Sequence, residues 1–337
     1  MPEVSVVLCS FNRAAKVARC LEALARQTIP KERYEVICVN DGSSDQTAEV
    51  MQRGLEGLQG KYLEHSSNRA LAAARNSGIR AASGQIVVFI NDDTYPAENF
   101  LFEHYFAHCS RPGEKIAVLG FIPFCPEYAN RFFSVLLMEH NLYFPFQGMN
   151  EKQQYSFSHF VGGNLSLRRD AFVANDIWFD ETFQCYGYED IECGYRLAKC
   201  GYSVLYHPQA RVVHDHKVTV QEYCKRANNN AVNIVEMLIR HPELRQSVLG
   251  VERVSASTIQ LWREQVADLR DGVEKLSAEL EVLQEQPLSG LAPARQEEQE
   301  VLSRAAEALQ VIREYHEKQG YISTISGNER IYRELAR

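Results

Sequence analysis

The chain has 337 residues, of which 45% are hydrophobic and 24% are charged, as in a folded enzyme with room for one large domain and an appendage. This composition excludes a disordered, a collagen-like or a tandem-repeat protein. The 36 lysines and arginines and 44 aspartates and glutamates give a net charge of −8 without a basic run, which argues against nonspecific binding of nucleic acid or anionic lipid. We therefore expect a small or neutral partner molecule.

The cysteines and the first residues indicate a reducing compartment. The nine cysteines are scattered and form no C-x-x-C pair, so we predict no structural zinc site. Cys9 and Cys38 lie inside apolar runs, where a free cysteine behaves as a small buried hydrophobic residue. The chain enters a strand-like run at once, and no apolar stretch reaches roughly 18 residues. We expect a cytoplasmic protein without a signal peptide or a membrane span.

The first third of the sequence alternates short apolar runs with amphipathic stretches. The predicted strands cover 4–9, 34–39, 61–64 and 85–90. The predicted helices between them cover 14–27, 45–58 and 68–82. This βαβ repetition predicts an α/β fold with a mainly parallel sheet. Because such sheets bind ligands beyond the carboxyl ends of their strands, the polar residues that follow each strand are the first candidates for a site.

The middle of the chain is less regular. An aromatic-rich stretch at 121–160 carries neither a helix nor a strand period, and we interpret it as a helix with a mobile loop. A strand at 162–167, a helix at 189–200, a strand at 203–206 and a helix at 221–240 follow. We place a first domain at 1–245 and a helical coiled-coil module at 246–337.

The last part of the chain changes in composition. Residues 251–337 hold 16 acidic and 11 basic residues, no cysteine and no phenylalanine. A heptad seam of apolar residues runs through Ile259, Trp262, Val266, Leu269, Val273, Leu276, Leu280 and Leu283. Residues 287–290 break the pattern, and a shorter stripe follows at Leu302, Ala305, Leu309 and Ile312. Two alternatives stay open: a hairpin that packs on the first domain of the same chain, or a homodimer or partner-docking helix, which the regularity of the seam favours.

Two adjacent carboxylates follow the most apolar predicted strand. Asp92 and Asp93 come directly after the run that ends at 90, and adjacent carboxylates repel each other unless a cation joins them. Magnesium and manganese prefer such oxygen ligands, together with substrate phosphates. The alternative is an Asx turn that caps the next helix.

Other polar residues at predicted strand ends and helix starts have two interpretations each. Asp41 can cap a helix or accept a hydrogen bond from the edge of a base, and Arg75 can be a solvated cation or bind a diphosphate. Asp190 lies in the first turn of a predicted helix, where it can complement the helix dipole or act as a general base. His214 and His216 alternate on a strand and so share one face.

Six segments together resemble glycosyltransferase family two, the inverting enzymes with a GT-A fold. They are V-S-V-V-L-C-S-F-N at 4–12, V-N-D-G-S-S-D at 39–45, A-A-A-R-N-S-G at 72–78, N-D-D-T at 91–94, G-G-N-L-S at 162–166 and Y-G-Y-E-D-I-E-C-G-Y-R-L at 186–197. Their order and spacing over residues 3 to 216 carry the resemblance. The helical module lies outside it.

The resemblance implies a nucleotide-diphosphate sugar as the donor, most often a UDP-sugar, and a divalent cofactor, Mn²⁺ or Mg²⁺. It implies a place around the nucleoside for Ser10, Asn12, Asp41 and Asp92. It puts Arg75 beside the diphosphate and Gly163 and Asn164 near the donor sugar. Asp93 and His214 would hold the metal, and Asp190 would be the catalytic base. Asn91 stands where many relatives have aspartate, which leaves the metal with one charge less.

The predicted function is an inverting transfer of a sugar to a hydroxyl of a glycan, lipid-linked or protein acceptor. The aromatic residues of 121–160, with Tyr143, Phe144, Phe146 and Tyr155, would line the acceptor side or form core. Because many members of the family use lipid-linked acceptors, peripheral association with a membrane is open. A dehydrogenase is excluded because no glycine-rich turn follows the first strand. The alternative from another class is a non-catalytic assembly protein with a degenerate transferase domain.

Overall fold

A computed structural model describes residues 2–151, 153–288 and 296–337, with side chains from residue 299 onwards in the last range. The strands are, in chain order, β1 (Val4–Ser10), β2 (Tyr34–Asn40), β3 (Gly60–Glu64), β4 (Ile86–Asn91), β5 (Thr94–Pro96), β6 (Ile116–Phe121), β7 (Gln154–Tyr155), β8 (Asn164–Arg168) and β9 (Ser203–His214). The helices are α1 (Ala14–Ala25), α2 (Thr47–Gly54), α3 (Ala70–Ala81), α4 (Phe100–Cys109), α5 (Pro126–Ala129), α6 (Phe132–Glu139), α7 (Asp170–Val173), α8 (Glu189–Lys199), α9 (Val220–Arg240), α10 (Arg245–Leu249), α11 (Ala256–Leu283), α12 (Gln296–Ser326) and α13 (Glu329–Ala336).

The chain divides into two compact units. Unit 1 consists of residues 1–125, 148–184 and 189–216, and it contains all nine of these strands. Unit 2 consists of residues 126–147, 185–188 and 217–337. The predicted domain boundary after residue 245 falls inside unit 2, and it stays a prediction.

Unit 1 is built on a mixed, mainly parallel sheet with the order β3-β2-β1-β4-β8-β6-β9-β5, and β7 pairs with β9. β1 is parallel to β2 and β4, while β8 runs antiparallel between β4 and β6. Every residue of β1 and β2 is buried, as expected of strands that are covered on both faces. Because β8 is antiparallel to both β4 and β6, β6 runs in the same direction as β4, and β9 is parallel to β6. The strands β1, β2, β4 and β9 therefore all end at one edge of the sheet, which we call the carboxyl edge.

Unit 2 has an apolar helical core. Its main cluster joins Val254, which precedes α11, to residues of α9, α11, α12 and α13: Ala231, Ile234, Val235, Leu238, Ile259, Trp262, Tyr321, Ile325, Ile331 and Leu335. The rings of Trp262 and Tyr321 lie 5.9 Å apart, centre to centre. α12 packs on both α9 and α11.

The heptad seam of α11 is covered by helices of the same chain. Its buried members are Ile259, Trp262, Val266, Val273 and Leu280, and the stripe from Leu302 to Ile312 is buried as well. Leu269, Leu276 and Leu283 of the seam are half-buried. The predicted dimerisation or partner docking stays a prediction. α11 ends at Leu283, before the predicted break, of which Ser289 and Gly290 lie outside the described residues. Within the described ranges, no helix combines the length and the apolar composition needed to cross a bilayer.

Candidate functional site

The carboxyl edge brings predicted site residues from three strands together. Ser10 ends β1, Asp41 follows β2, and Asp92 follows β4. The hydroxyl of Ser10 donates to Oδ2 of Asp92, and the backbone N–H of Asp41 donates to the Ser10 carbonyl at 2.9 Å. All three residues are buried. Residues that are far apart in sequence thus form one polar cluster, as the strand ends predicted.

Asp41 is fixed by His65, one of the polar residues that follow a predicted strand, to which no role was assigned from the sequence. Oδ1 of Asp41 lies 2.6 Å from Nδ1 of His65 and accepts the backbone N–H of Arg69 at 2.9 Å. Nε2 of His65 lies 2.9 Å from the hydroxyl of Ser77 on α3. Because a carboxylate oxygen accepts, Nδ1 of His65 is the donor to Asp41. His65 directly follows β3, so its place at a strand end was an available signal.

Asn12 joins two loops of the carboxyl edge. Its backbone is left-handed, with a φ of 53°, and its side-chain oxygen accepts the N–H of Ser44 at 2.8 Å. Its own N–H donates to the hydroxyl of Ser43 at 2.9 Å. In the second loop, Gly42 has a φ of 73°, and an added Cβ would lie 2.4 Å from the backbone of Ser67. The turn therefore requires glycine, and Asn12 fixes its neighbours.

The two adjacent carboxylates share an arginine. Nη1 of Arg13 lies 3.2 Å from Oδ1 of Asp92 and 2.7 Å from Oδ2 of Asp93. Burial raises the pKa of Asp92 to about 6, although the charge of Arg13 acts in the opposite direction. The adjacent carboxylates predicted a cation at this pair, but nothing in the sequence identified Arg13 as one.

His214 ends β9 beside the second of these carboxylates. Its Nε2 lies 3.8 Å from Oδ1 of Asp93, and this buried oxygen accepts no hydrogen bond from the described residues. Two atoms that each bind one metal ion at about 2.1 Å can be up to about 4.2 Å apart, so Asp93 and His214 fit two ligands of one ion. No group of three His, Cys, Asp or Glu side chains with metal-site geometry occurs in the described part of the chain. The pair therefore suits a metal such as Mg²⁺ that also takes water and substrate oxygens.

A second ionic cluster lies next to this pair. The N–H of Asp215 donates to the Asp93 carbonyl at 2.8 Å, and the Asp215 carboxylate lies 2.8 Å from Nζ of Lys16 and 2.7 Å from Nη1 of Arg19. The hydroxyl of Tyr95 donates to the same carboxylate at 2.7 Å. Asp215 was outside the predicted site, and Lys16, Arg19 and Tyr95 are each separated from it by more than a hundred residues in sequence.

Asp190 lies in the first turn of α8 and is half-buried. Its Oδ2 accepts the N–H of Gly162 at 2.8 Å. The carbonyl of the same Gly162 accepts from Arg75 at 3.2 Å, and Arg75 also binds Glu189 at 2.7 Å. The backbone of Gly162 is therefore held by Asp190 through its N–H and by Arg75 through its carbonyl.

Arg75 is 3% exposed and packs over the ring of Phe179 at 5.2 Å. Its guanidinium thus has an anionic, a carbonyl and an aromatic neighbour within unit 1. The predicted contact of Arg75 with a diphosphate stays a prediction.

Gly163 links Asp190 to the carboxyl edge. A Cβ on Gly163 would come within 3.0 Å of Nδ2 of Asn91, so the backbone of Gly163 lies close to the end of β4. The side chain of Asn164 is fully buried: its oxygen lies 2.9 Å from Nε2 of His104, and its nitrogen donates to the Ala210 carbonyl at 2.9 Å. These contacts give Asn164 a role within the sheet, and its predicted place near a donor sugar stays a prediction.

The aromatic stretch is divided between the two units. Phe144 and Phe146 are buried in unit 2, with ring centres 5.6 Å apart, which agrees with the core alternative for these two residues. Tyr143 is half-buried and lies 4.3 Å from the guanidinium of Arg226. Tyr155 belongs to β7 in unit 1. Its role and that of Tyr143 on an acceptor stay predictions.

The chain has relatives among known proteins by sequence. The chain is 31% identical over 222 residues to validoxylamine A glucosyltransferase of Streptomyces hygroscopicus subsp. jinggangensis, which is 58% of this chain and 51% of that protein. It is 35% identical over 102 residues to glycosyltransferase AglE of Haloferax volcanii, which is 30% of this chain and 34% of that protein. The chain thus matches about half or less of the length of these relatives.

Two solved structures resemble the fold. The mannosyltransferase PcManGT of Pyrobaculum calidifontis, solved with GDP-Man and Mn²⁺, has a TM-score of 0.57 and 19% identity over 92% of this chain and 86% of that chain. S. aureus TarS 1-349, solved with UDP, has a TM-score of 0.50 and 19% identity over 97% of this chain and 92% of that chain. These likenesses confirm the predicted GT-A fold. The family model described as Glycosyl transferase family 2 matches residues 5–174, half of the chain, and the chain therefore belongs to glycosyl transferase family 2.

Proposed function

We propose that the protein transfers a sugar from a nucleotide-diphosphate donor, a UDP-sugar, to a hydroxyl group, with inversion at the anomeric carbon. The acceptor class is a glycan, a lipid-linked intermediate or a protein, as in the synthesis of surface polysaccharides and glycoconjugates. Two named relatives, the validoxylamine A glucosyltransferase and a poly(ribitol-phosphate) beta-glucosyltransferase of Bacillus spizizenii, support glucosyl transfer to hydroxylated acceptors.

One observation carries the proposal: the polar cluster at the carboxyl edge, where open parallel sheets bind nucleotides. In this proposal Asp41, held by His65, meets the edge of the base, and Ser10 and Asn12 line the nucleoside. Asp92 faces the ribose. The short contacts among these residues fix their positions before a ligand binds, which reduces the entropic cost of binding.

Asp93 and His214 are the proposed metal ligands, and the 3.8 Å between their facing atoms supports this assignment. Asp93 and His214 would hold a divalent metal whose positive charge would stabilise the leaving diphosphate. Asn91 offers an amide in place of a carboxylate, and Gly163 packs against it. The site thus has fewer negative charges than an all-aspartate motif, and we expect moderate metal affinity.

Asp190 is the proposed general base. Its carboxylate accepts the N–H of Gly162 and lies in the first turn of α8. In the proposal it takes the proton of the acceptor hydroxyl as that oxygen attacks the anomeric carbon. Arg75 holds the carbonyl of the same glycine and, in the proposal, adds positive charge near the diphosphate. Gly163 and Asn164 follow Gly162 on the donor-sugar side.

Thermal unfolding tests the nucleotide site. UDP, GDP, dTDP and CDP are each added with Mn²⁺, with Mg²⁺ or with EDTA, to the native protein and to Asp93→Ala. A nucleotide at a hundred times its dissociation constant stabilises by about 2.7 kcal/mol, so we expect UDP with metal to raise Tm by a few degrees. Asp93→Ala should lose this shift.

Asp170→Ala is the matched control, because Asp170 is an exposed carboxylate in the first turn of α7. It should keep the full shift. A shift that persists in Asp93→Ala would remove Asp93 from the metal site. If no nucleotide stabilised the protein, the result would favour the non-catalytic assembly protein instead.

A further inference from the structure

We propose that Arg13 is an internal counter-ion of the Asp92–Asp93 pair, and that it makes the site bind a divalent metal more tightly together with the nucleotide than alone. The inference rests on the proposed nucleotide site and adds to it a residue that controls the order of binding. Arg13 competes with the metal for negative charge until a diphosphate arrives to pair with it.

The position of one nitrogen atom carries this inference. Nη1 of Arg13 contacts both carboxylates, at 3.2 Å from Asp92 and 2.7 Å from Asp93, and so occupies the place of a shared cation. Both carboxylates are buried, so a cation in contact with them is weakly screened by solvent. The same carboxyl group of Asp93 presents its other oxygen to His214. A metal held there would share Asp93 with Arg13.

The backbone of Arg13 is anchored, whereas its side chain is exposed enough to change partners. Its backbone precedes α1, and its N–H donates to the hydroxyl of Thr47 at 3.0 Å. Its side chain is 44% exposed, in contrast to the buried carboxylates. The guanidinium can therefore turn from the carboxylates towards a ligand at the carboxyl edge while the backbone stays in place. A guanidinium binds diphosphate oxygens with the same forked geometry as carboxylates.

Charge determines which combination of ligands binds best. The two carboxylates with Arg13 leave one net negative charge, and a divalent metal alone would bring a second cation against the guanidinium. A metal with a nucleoside diphosphate brings negative charge as well, and Arg13 then has an anionic partner again. Metal and nucleotide should therefore bind with positive coupling, and Arg13 is the source of a large part of it.

The neighbouring cations of α1 offer a matched control. Lys16 and Arg19 lie on the same helix but bind Asp215, at 2.8 Å and 2.7 Å. Arg19 is 57% exposed in its side chain. Arg19→Gln therefore removes one positive charge from the same helix without touching the Asp92–Asp93 pair.

The experiment is a calorimetric titration of Mn²⁺ into the full chain, with and without UDP, for the native protein, Arg13→Gln and Arg19→Gln. We expect Arg13→Gln to bind Mn²⁺ alone about tenfold more tightly, which is about 1.4 kcal/mol, and the gain in Mn²⁺ affinity from UDP to fall about tenfold. Arg19→Gln should change each value less than about twofold. Arg13→Lys keeps the charge and should give intermediate values.

Three results would overturn the proposal. The first is an unchanged or weaker affinity of Arg13→Gln for Mn²⁺ alone. The second is an equal effect of Arg19→Gln, which would show a general effect of net charge. The third is an unchanged coupling between Mn²⁺ and UDP. If the native protein bound Mn²⁺ but not UDP, the proposed function would fail, while tighter Mn²⁺ binding by Arg13→Gln would still support the competition.

Discussion

The carboxyl edge of unit 1 and the helical core of unit 2 bury opposite kinds of side chain. The carboxyl edge buries Asp41, Asp92, Asp93 and His214, and the helical core buries Ile259, Val266, Leu309 and other apolar residues. Burial of apolar surface stabilises a fold, whereas burial of charge costs free energy unless partners offset it. The carboxylates of the carboxyl edge have such partners, His65 for Asp41 and Arg13 for Asp92 and Asp93.

This difference leads to a general expectation. Substitutions at the site of unit 1 should change binding or turnover more than stability. Substitutions along the seam of α11 should change the free energy of unfolding more than turnover.

The largest effect is expected for Asp190→Asn. The amide keeps the shape of the side chain and can still accept the N–H of Gly162, but it cannot take a proton from an acceptor. Since a general base contributes about 10²- to 10⁴-fold, sugar transfer should fall by a factor in this range while the nucleotide-induced Tm shift remains. The measurement is initial rate with a nucleotide-sugar donor, alongside thermal unfolding.

Asp170→Asn is the control for this substitution, since it also replaces a carboxylate in the first turn of a helix. It should leave transfer unchanged. Unchanged turnover in Asp190→Asn would remove Asp190 from the role of base. A loss of stability as large as the loss of turnover would break the comparison between the two regions.

The next effect is expected in α11. Leu280 is 2% exposed, and Leu280→Ala should lower the free energy of unfolding by about 2 to 5 kcal/mol through lost burial and a cavity. Val282, two residues further along the same helix, is 74% exposed, and Val282→Ala should cost less than about 0.5 kcal/mol. Chemical denaturation of both variants measures the difference.

Light scattering on the same variants addresses the predicted dimer. If the seam is an internal core, Leu280→Ala lowers stability at every protein concentration and leaves the molecular mass unchanged. A variant that instead halved the molecular mass would place the seam between two chains and would revive the homodimer.

The periodicity of the apolar residues predicted the first half of the sheet, because each strand and helix there shows its pattern within its own short stretch of sequence. The middle of the chain was harder. The predicted strand at 203–206 is the start of β9, which continues to His214. Leu119 of β6 pairs with Tyr206 of β9, but Phe121 pairs with Arg211, so residues 207–210 form a bulge opposite a single residue of β6. A bulge tolerates proline, which explains Pro208 inside the strand.

The site was predicted where a residue follows a strand, and missed where it depends on a partner far away in sequence. Asp92 and Asp93 stand out after an apolar run, but nothing in their neighbourhood indicates that Arg13 lies between them. Asp215 meets Lys16 and Arg19 across nearly two hundred residues. The topology of the fold brings these residues together, so the pairs could not be recognised from the sequence alone.

The seam of α11 shows a related limit. A heptad pattern predicts which face of a helix is buried, but it does not say which helix covers that face. The spacing of Ile259, Trp262 and Val266 is the same for a partner from another chain and for a helix of the same chain. Here α12 packs on α11 within one unit.

The reactivity of the cysteines gives the smallest expected effect and tests whether the core beneath the carboxyl edge stays closed. Burial raises the pKa of both Cys9 and Cys193 to about 12. A thiol modifies as the thiolate, so these two should stay unreactive as the pH rises from 7 to 9, while exposed Cys109 and Cys185 react first. Ellman's reagent gives the rates, and peptide mapping identifies the modified residues. Modification of Cys9, which directly precedes Ser10 on β1, would mean that the edge opens in the native protein, and its polar cluster could then not be fixed before a ligand binds.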